Sequence, residues 1–148
     1  MTHLSDYLLA PGRREGVVRD ACELIDAEVS RGSGLSGLAV KSAYRLVRSI
    51  RPGMIAAAVD GLLQPFADQL DPFFQEHRTT GKPLDQVLVA ERTSMADALL
   101  SITDDRVERS SHAAARRAYQ QLRSTARLHV EAAAPGIAEL ITSHTTPA

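Results

Sequence analysis

The chain writes one helix-like segment twice. KSAYRLVRS at residues 41–49 returns as RRAYQQLRS at residues 116–124, seventy-five positions later. Laid without gaps, residues 39–61 and 114–136 are identical at Ala39/Ala114, Ala43/Ala118, Tyr44/Tyr119, Arg48/Arg123, Ser49/Ser124, Ala57/Ala132, Ala58/Ala133 and Gly61/Gly136. With a shift of two or three residues the match reaches back to Ile25/Ile102, Val29/Val107 and Arg31/Arg109. Alanine-rich helices match each other by chance, so the weight rests on the Tyr, Arg, Ser and Gly pairs and on the order of features. That order is an amphipathic helix, a small-residue turn, a serine cap, a basic helix and an alanine-rich continuation, repeated across both halves. Three helices alone bury their apolar faces poorly, whereas two such halves packed about a pseudo-two-fold axis bury them together.

Periodicity and breakers place the elements. After APG at residues 10–12, Val18, Cys22, Ile25 and Val29 recur at helical spacing, so a first helix ends near Arg31 before Gly32 and Gly34. Ser36 is the expected cap of a second helix over residues 37–50 that buries Val40, Ala43, Tyr44, Val47 and Ile50. Pro52 opens a third, with Ile55, Val59, Leu62, Leu63 and Phe66 on its inner face. Pro65 and the Asp71-Pro72 pair predict a kink or break at each, and HRTTGKP at residues 77–83 reads as a loop. One helix is expected through Leu84, Val87, Leu88, Met95, Leu99 and Ile102. Ser110 or Ser111 caps another to about Ala133, and Pro135-Gly136 restart a short last one carrying Ile137, Leu140 and Ile141. The expectation is a single all-α domain over residues 1–148, a bundle of about six to eight helices built as two pseudo-repeated three-helix halves, residues 13–76 and 84–144.

Composition narrows the class. A length of 148 residues suits one domain with a real core. The net charge of −1 supplies no global field toward nucleic acid or membrane, so any such binding needs a local patch. Aromatics are scarce, with three Phe, three Tyr and no Trp, while alanine is abundant, which suits helices approaching closely over small side chains. Cys22 is the lone cysteine, no stretch is long and apolar enough to span a bilayer, and the N-terminus reverses the charge order of a signal peptide. A bacterial cytoplasmic protein is the expectation.

Charge gives the candidate site. Lys41, Arg45 and Arg48 fall at i, i+4 and i+7, and Arg116, Arg123 and Arg127 at i, i+7 and i+11, so each set forms one helical stripe. A solvated helix face looks the same, while two stripes related by a two-fold form a paired anion-binding surface. Other motifs fail on chemistry. TTGK at residues 79–82 has Glu76 where a phosphate loop needs glycine. The five histidines include no i, i+4 pair for a metal, and Asp104, Asp105 and Glu108 have no calcium-loop glycine. Asp60 is expected exposed. A helix-turn-helix reading fails because the second helix opens with Gly37, Leu38 and Ala39 where base-reading side chains belong. No catalytic residue, cofactor or metal site is expected.

The stretches SGLSGLAVKSAYRLVRSIRPGMIAAAVDGLLQPF at residues 33–66 and RSSHAAARRAYQQLRSTARLHVEAAAPGIAELI at residues 109–141, with ELIDAEV before them, resemble a family of small uncharacterised all-helical proteins from high-GC Gram-positive (actinobacterial) bacteria. The resemblance implies an all-helical single domain and carries over no activity. The functional expectation is a non-enzymatic protein that binds another protein or itself. Two alternatives stand beside it: an anion or nucleic-acid binder using the stripes, with nucleic acid disfavoured by the absent base-reading side chains, and a carrier holding an apolar ligand between the halves.

Overall fold

The computed structural model describes residues 2–32, 34–50, 53–109, 111 and 113–145, with the side chains of residues 35, 36, 43, 46–50, 54, 115 and 118 outside the description. The described residues form eight helices and no strand: α1 (Leu4–Leu8), α2 (Arg14–Arg31), α3 (Gly34–Ile50), α4 (Met54–Thr80), α5 (Leu84–Ala90), α6 (Arg92–Glu108), α7 (Ala113–Ala132) and α8 (Ala134–Thr145). They make one all-α domain.

The long helix α4 is the axis, packing against α1, α2, α3, α5 and α6. Its inner stripe is Val59, Leu63, Ala67, Leu70 and Phe74, spaced at four, four, three and four and buried throughout. That stripe explains why the expected breaks do not occur: α4 runs through Pro65 and Pro72 without interruption. Each proline forfeits one backbone bond, a cost of about 3 kcal/mol, while each large buried apolar side chain returns roughly 1.5–3 kcal/mol. The carbonyls freed by the two prolines belong to Gly61 and Asp68, both exposed, where water satisfies them. The helix also continues through most of the expected loop and stops at Gly81, whose φ of 77° is left-handed and whose N–H donates to the His77 carbonyl at 3.0 Å.

Three further departures follow. The N-terminal segment LSDYL forms α1, with Leu4 and Leu8 in the core. An Asp71 oxygen on α4 accepts the Leu4 N–H at 2.8 Å, and Tyr7 meets Phe74 edge to face at 5.9 Å. The single helix expected over residues 84–102 divides at Glu91 into α5 and α6. Helix α3 begins at Gly34, so Ser36 stands inside its first turn rather than capping it. Ser110 and Pro52 lie outside the described residues, as do the side chains of Ala43, Val47 and Ile50.

The core is lopsided. Leu4, Leu8, Leu70, Phe74, Leu84 and Leu88 form a dense cluster where α1, α4 and α5 meet, with Met95, Ala138 and Ile141 beside it. The amphipathic helices α3 and α7 supply no buried side chain to it among the described residues. They pack on each other, α3 also on α2 and α7 also on α6.

Candidate functional site: an apolar cavity

The apolar faces of α2, α4, α6 and α8 converge on a cavity of 390 Å³, with Val40 of α3 and Val130 of α7 completing its wall. Its walls are carbon almost throughout. Leu8, Val17, Ala67, Leu70 and Ile141 close one end and are all buried. Glu28, Val29, Val40 and His129 form the other end and are all part exposed, as are Leu24, Phe66, Leu99 and Ile137 between, so the cavity is closed at the α1 end and open to solvent along the rest, the α2–α3 turn included. Leu63, Phe66, Leu99, Leu100 and Ile137 line the length between. Val17 and Val29 stand twelve residues apart on the stretch of α2 that runs along the wall, which is about 18 Å at 1.5 Å per residue. Ala21, Ala67 and Ala133 stand where larger side chains would fill the space. The abundance of alanine therefore leaves room here instead of only bringing helices together.

Polar groups join the helices whose apolar faces line the cavity. Tyr44 on α3 donates its hydroxyl to Asp26 on α2, and Tyr119 on α7 donates to Asp104 on α6 at 2.6 Å. Asp26 and Asp104 are separated by the same offset that pairs Val29 with Val107 and Arg31 with Arg109, so the sequence held a signal for this pair that the Tyr match alone did not reveal. The second bond sits in a wider network. Thr103 Oγ lies 2.7 Å from the Tyr119 hydroxyl, and Arg123 Nε reaches Asp104 at 2.8 Å while its Nη2 lies 3.7 Å from Asp97. Burial raises the Asp104 carboxyl, but the Arg123 and Tyr119 bonds outweigh it and hold the group below its ordinary value. Burial and the carboxylate push the Tyr119 phenol up, and the Asp104 bond raises the Arg123 guanidinium.

The predicted basic residues divide between two roles. Arg123 turns to Asp104 and Asp97, and Arg116 is partnered as well. Lys41, Arg45 and Arg127 make no ion pair among the described residues, and the Arg48 side chain lies outside the description. Helices α3 and α7, which carry the two stripes, pack against each other. Asp60 is half exposed, as expected, and accepts Arg14 Nε at 2.7 Å. Among the described residues no three His, Cys, Asp or Glu side chains lie close enough to hold a metal, and no helix is long and apolar enough to cross a membrane.

Fold and site together define an all-α protein with a deep, carbon-lined cavity between its helices. The chain belongs to a family of unknown function, DUF6918, which it matches over residues 4–145. No curated protein and no solved structure is significantly similar to it.

Proposed function

We propose that the protein binds, without chemical conversion, a ligand with a single aliphatic chain, held lengthwise in the cavity between the helical halves. The observation that carries this reading is the size of the void against its lining. A cleft of 390 Å³ open to solvent and walled by carbon keeps apolar surface wet, and covering that surface with an aliphatic chain returns roughly 25 cal/mol per Å². Its carbon walls offer the water in it few hydrogen-bond partners, so that water is readily displaced by an apolar chain. The volume falls in the range of small-molecule sites. The shape favours a chain: at about 1.25 Å per methylene, from a 1.52 Å bond opened to about 111°, an 18 Å wall accommodates about fourteen carbons.

This reading gives the carrier alternative more weight than a scaffold, because a scaffold needs no hollow interior. The matched Tyr44–Asp26 and Tyr119–Asp104 bonds support a two-half architecture, each fixing a basic helix to the one before it. The halves differ in extent, since α4 has 27 residues and α8 has 12.

The test is organic extraction of the purified protein with mass spectrometry of the extract, together with displacement of a fluorescent fatty-acid probe by dodecanoate, tetradecanoate and hexadecanoate. The expected result is a bound aliphatic compound and displacement strongest near the chain length the cavity fits. Saturating ligand at a hundred times Kd should raise stability by about 2.7 kcal/mol. A clean extract with no probe binding and no thermal shift refutes the proposal.

A further inference from the structure

We infer that α3 and α7 form a face, basic and tipped by leucines, that docks the mouth of the cavity on an anionic lipid bilayer. Charge is segregated along this chain. Helices α3 and α7 carry seven cationic residues and one acid, Glu131, while the rest of the chain carries ten cations against seventeen acids. Glu131 is occupied, its Oε1 accepting the Thr93 hydroxyl at 2.8 Å. A net charge of −1 thus conceals a basic plate on an acidic body, which orients the molecule toward an anionic surface.

The plate is also apolar where it matters. Leu38 and Leu128 are each 60% exposed, far more than any other large apolar side chain among the described residues. Leu38, Lys41 and Arg45 fall at i, i+3 and i+7, on one face of α3. Arg117, Gln121, Ser124 and Leu128 fall at i, i+4, i+7 and i+11 and are all exposed, on one face of α7. Among the described residues Lys41, Arg45, Arg117 and Arg127 form no ion pair, so their charges are available to phosphate groups. Such cations beside exposed leucines are the chemistry of an interfacial surface, the leucines entering the acyl boundary and the cations staying among the headgroups.

The face adjoins the cavity. A methyl group placed on Gly32 would lie 3.1 Å from Gly37 Cα and 3.4 Å from His129 Cε1, so α3 and α7 flank the same glycine at the end of α2. Leu38 and Leu128 are each one residue from that point, and Val29, Val40 and His129 line the open end of the cavity there. A chain leaving a bilayer beneath the two leucines would meet the open end directly. A nucleic acid fits less well. The aromatic side chains of these helices, Tyr44 and Tyr119, are tied to aspartates and not available for stacking, and leucines offer nothing to a phosphodiester backbone.

The inference rests on the carrier reading for its purpose, and its test is independent of ligand binding. The full chain is sedimented with vesicles of phosphatidylcholine alone and of phosphatidylcholine mixed with phosphatidylglycerol, at low and at physiological salt. Binding should require phosphatidylglycerol and weaken with salt. Lys41→Gln and Arg45→Gln should each reduce it about fivefold. Leu38→Ser and Leu128→Ser should reduce it without altering the salt dependence, and Arg106→Gln, an exposed cation elsewhere, should leave it unchanged. All five positions are exposed or half exposed, and circular dichroism checks that the variants remain folded. The inference is overturned by no binding to the mixed vesicles, by equal binding to phosphatidylcholine alone, by an Arg106→Gln loss as large as that of Lys41→Gln, or by duplex DNA displacing the protein from the vesicles. Vesicle binding by a protein that refuses the fatty-acid probe would sustain the docking face and remove the carrier reading.

Discussion

Enlarging Ala67 should stabilise this protein, although the same change in a filled core would destabilise it. Ala67 is buried on the inner face of α4, between Leu63 and Leu70, and its side chain borders the cavity. Ala67→Leu adds three carbons, which at about 0.8 kcal/mol per buried methylene yields about 2.4 kcal/mol. Ordering the leucine side chain costs about 0.5–1 kcal/mol, leaving about 1.5 kcal/mol in favour of the variant. For a chain of this size that raises Tm by about 3–6 °C. In a close-packed interior the added carbons would strain their neighbours and cost about 1–3 kcal/mol, so the two accounts differ in sign. Urea unfolding followed by circular dichroism measures the change on ligand-free protein, with the slope m compared to exclude altered compactness. The same substitution should weaken the fatty-acid probe, because it occupies the space the chain would take. A variant destabilised by more than about 1 kcal/mol at unchanged m would show a full interior and refute the cavity argument.

Other consequences are separable. Gly37→Ala places a methyl 2.5 Å from the Gly32 carbonyl carbon, backbone against backbone, and should cost about 1–3 kcal/mol in urea unfolding, whereas Gly61→Ala meets nothing within 4 Å in an exposed helix interior and should gain about 0.5–1 kcal/mol. Asp104 has a folded pKa below its unfolded value of about 3.9, so its stabilisation is present above that pH and is lost as pH falls through the folded value. Asp104→Asn should therefore cost about 1 kcal/mol at neutral pH and flatten the acid limb of the stability profile, read from denaturation midpoints across pH. Asp71→Ala removes the acceptor for the Leu4 N–H, the His3 ring at 3.0 Å and Gln75 at 3.1 Å, and should speed hydrogen exchange in α1 and the release of a bound chain past Leu8.

The helices were legible where apolar spacing and terminal glycines agreed. Leu63, Leu84, Leu88, Met95 and Ile141 are expected core residues and are buried. The departures share one physical origin, which is that tertiary burial outweighs local preference. Pro65 and Pro72 each weaken α4 locally, but the stripe from Val59 to Phe74 holds the helix on its partners across both. Five residues are too few to form a helix by propensity, so α1 was not readable. It exists because Leu4 and Leu8 are buried and Asp71, distant in sequence, takes up its N-terminal donor. The turn at Glu91 has neither glycine nor proline to announce it.

The cavity was less legible, because periodicity reports which faces are apolar and not whether they touch. What keeps the faces apart can be traced to particular residues. Helix α4 spans 27 residues, about 40 Å at 1.5 Å per residue, and packs against α2, α3 and α6. Tyr44 binds α3 to Asp26 of α2, and Tyr119 with Arg123 binds α7 to Asp104 of α6. Each contact lies at the edge of its helix pair and fixes a basic helix sideways to its neighbour. The Tyr44 bond is exposed and the Tyr119 bond part buried, so each contributes about 0.5–1.5 kcal/mol toward holding α3 and α7, which carry Val40 and Val130 of the cavity wall, against their neighbours. The alanines at 21, 67 and 133 then leave space unfilled along that wall. The repeated tyrosine helix therefore has a structural use distinct from its arginines: Tyr44 ties α3 to α2 and Tyr119 ties α7 to α6, whereas Lys41, Arg45 and Arg127 form no ion pair among the described residues.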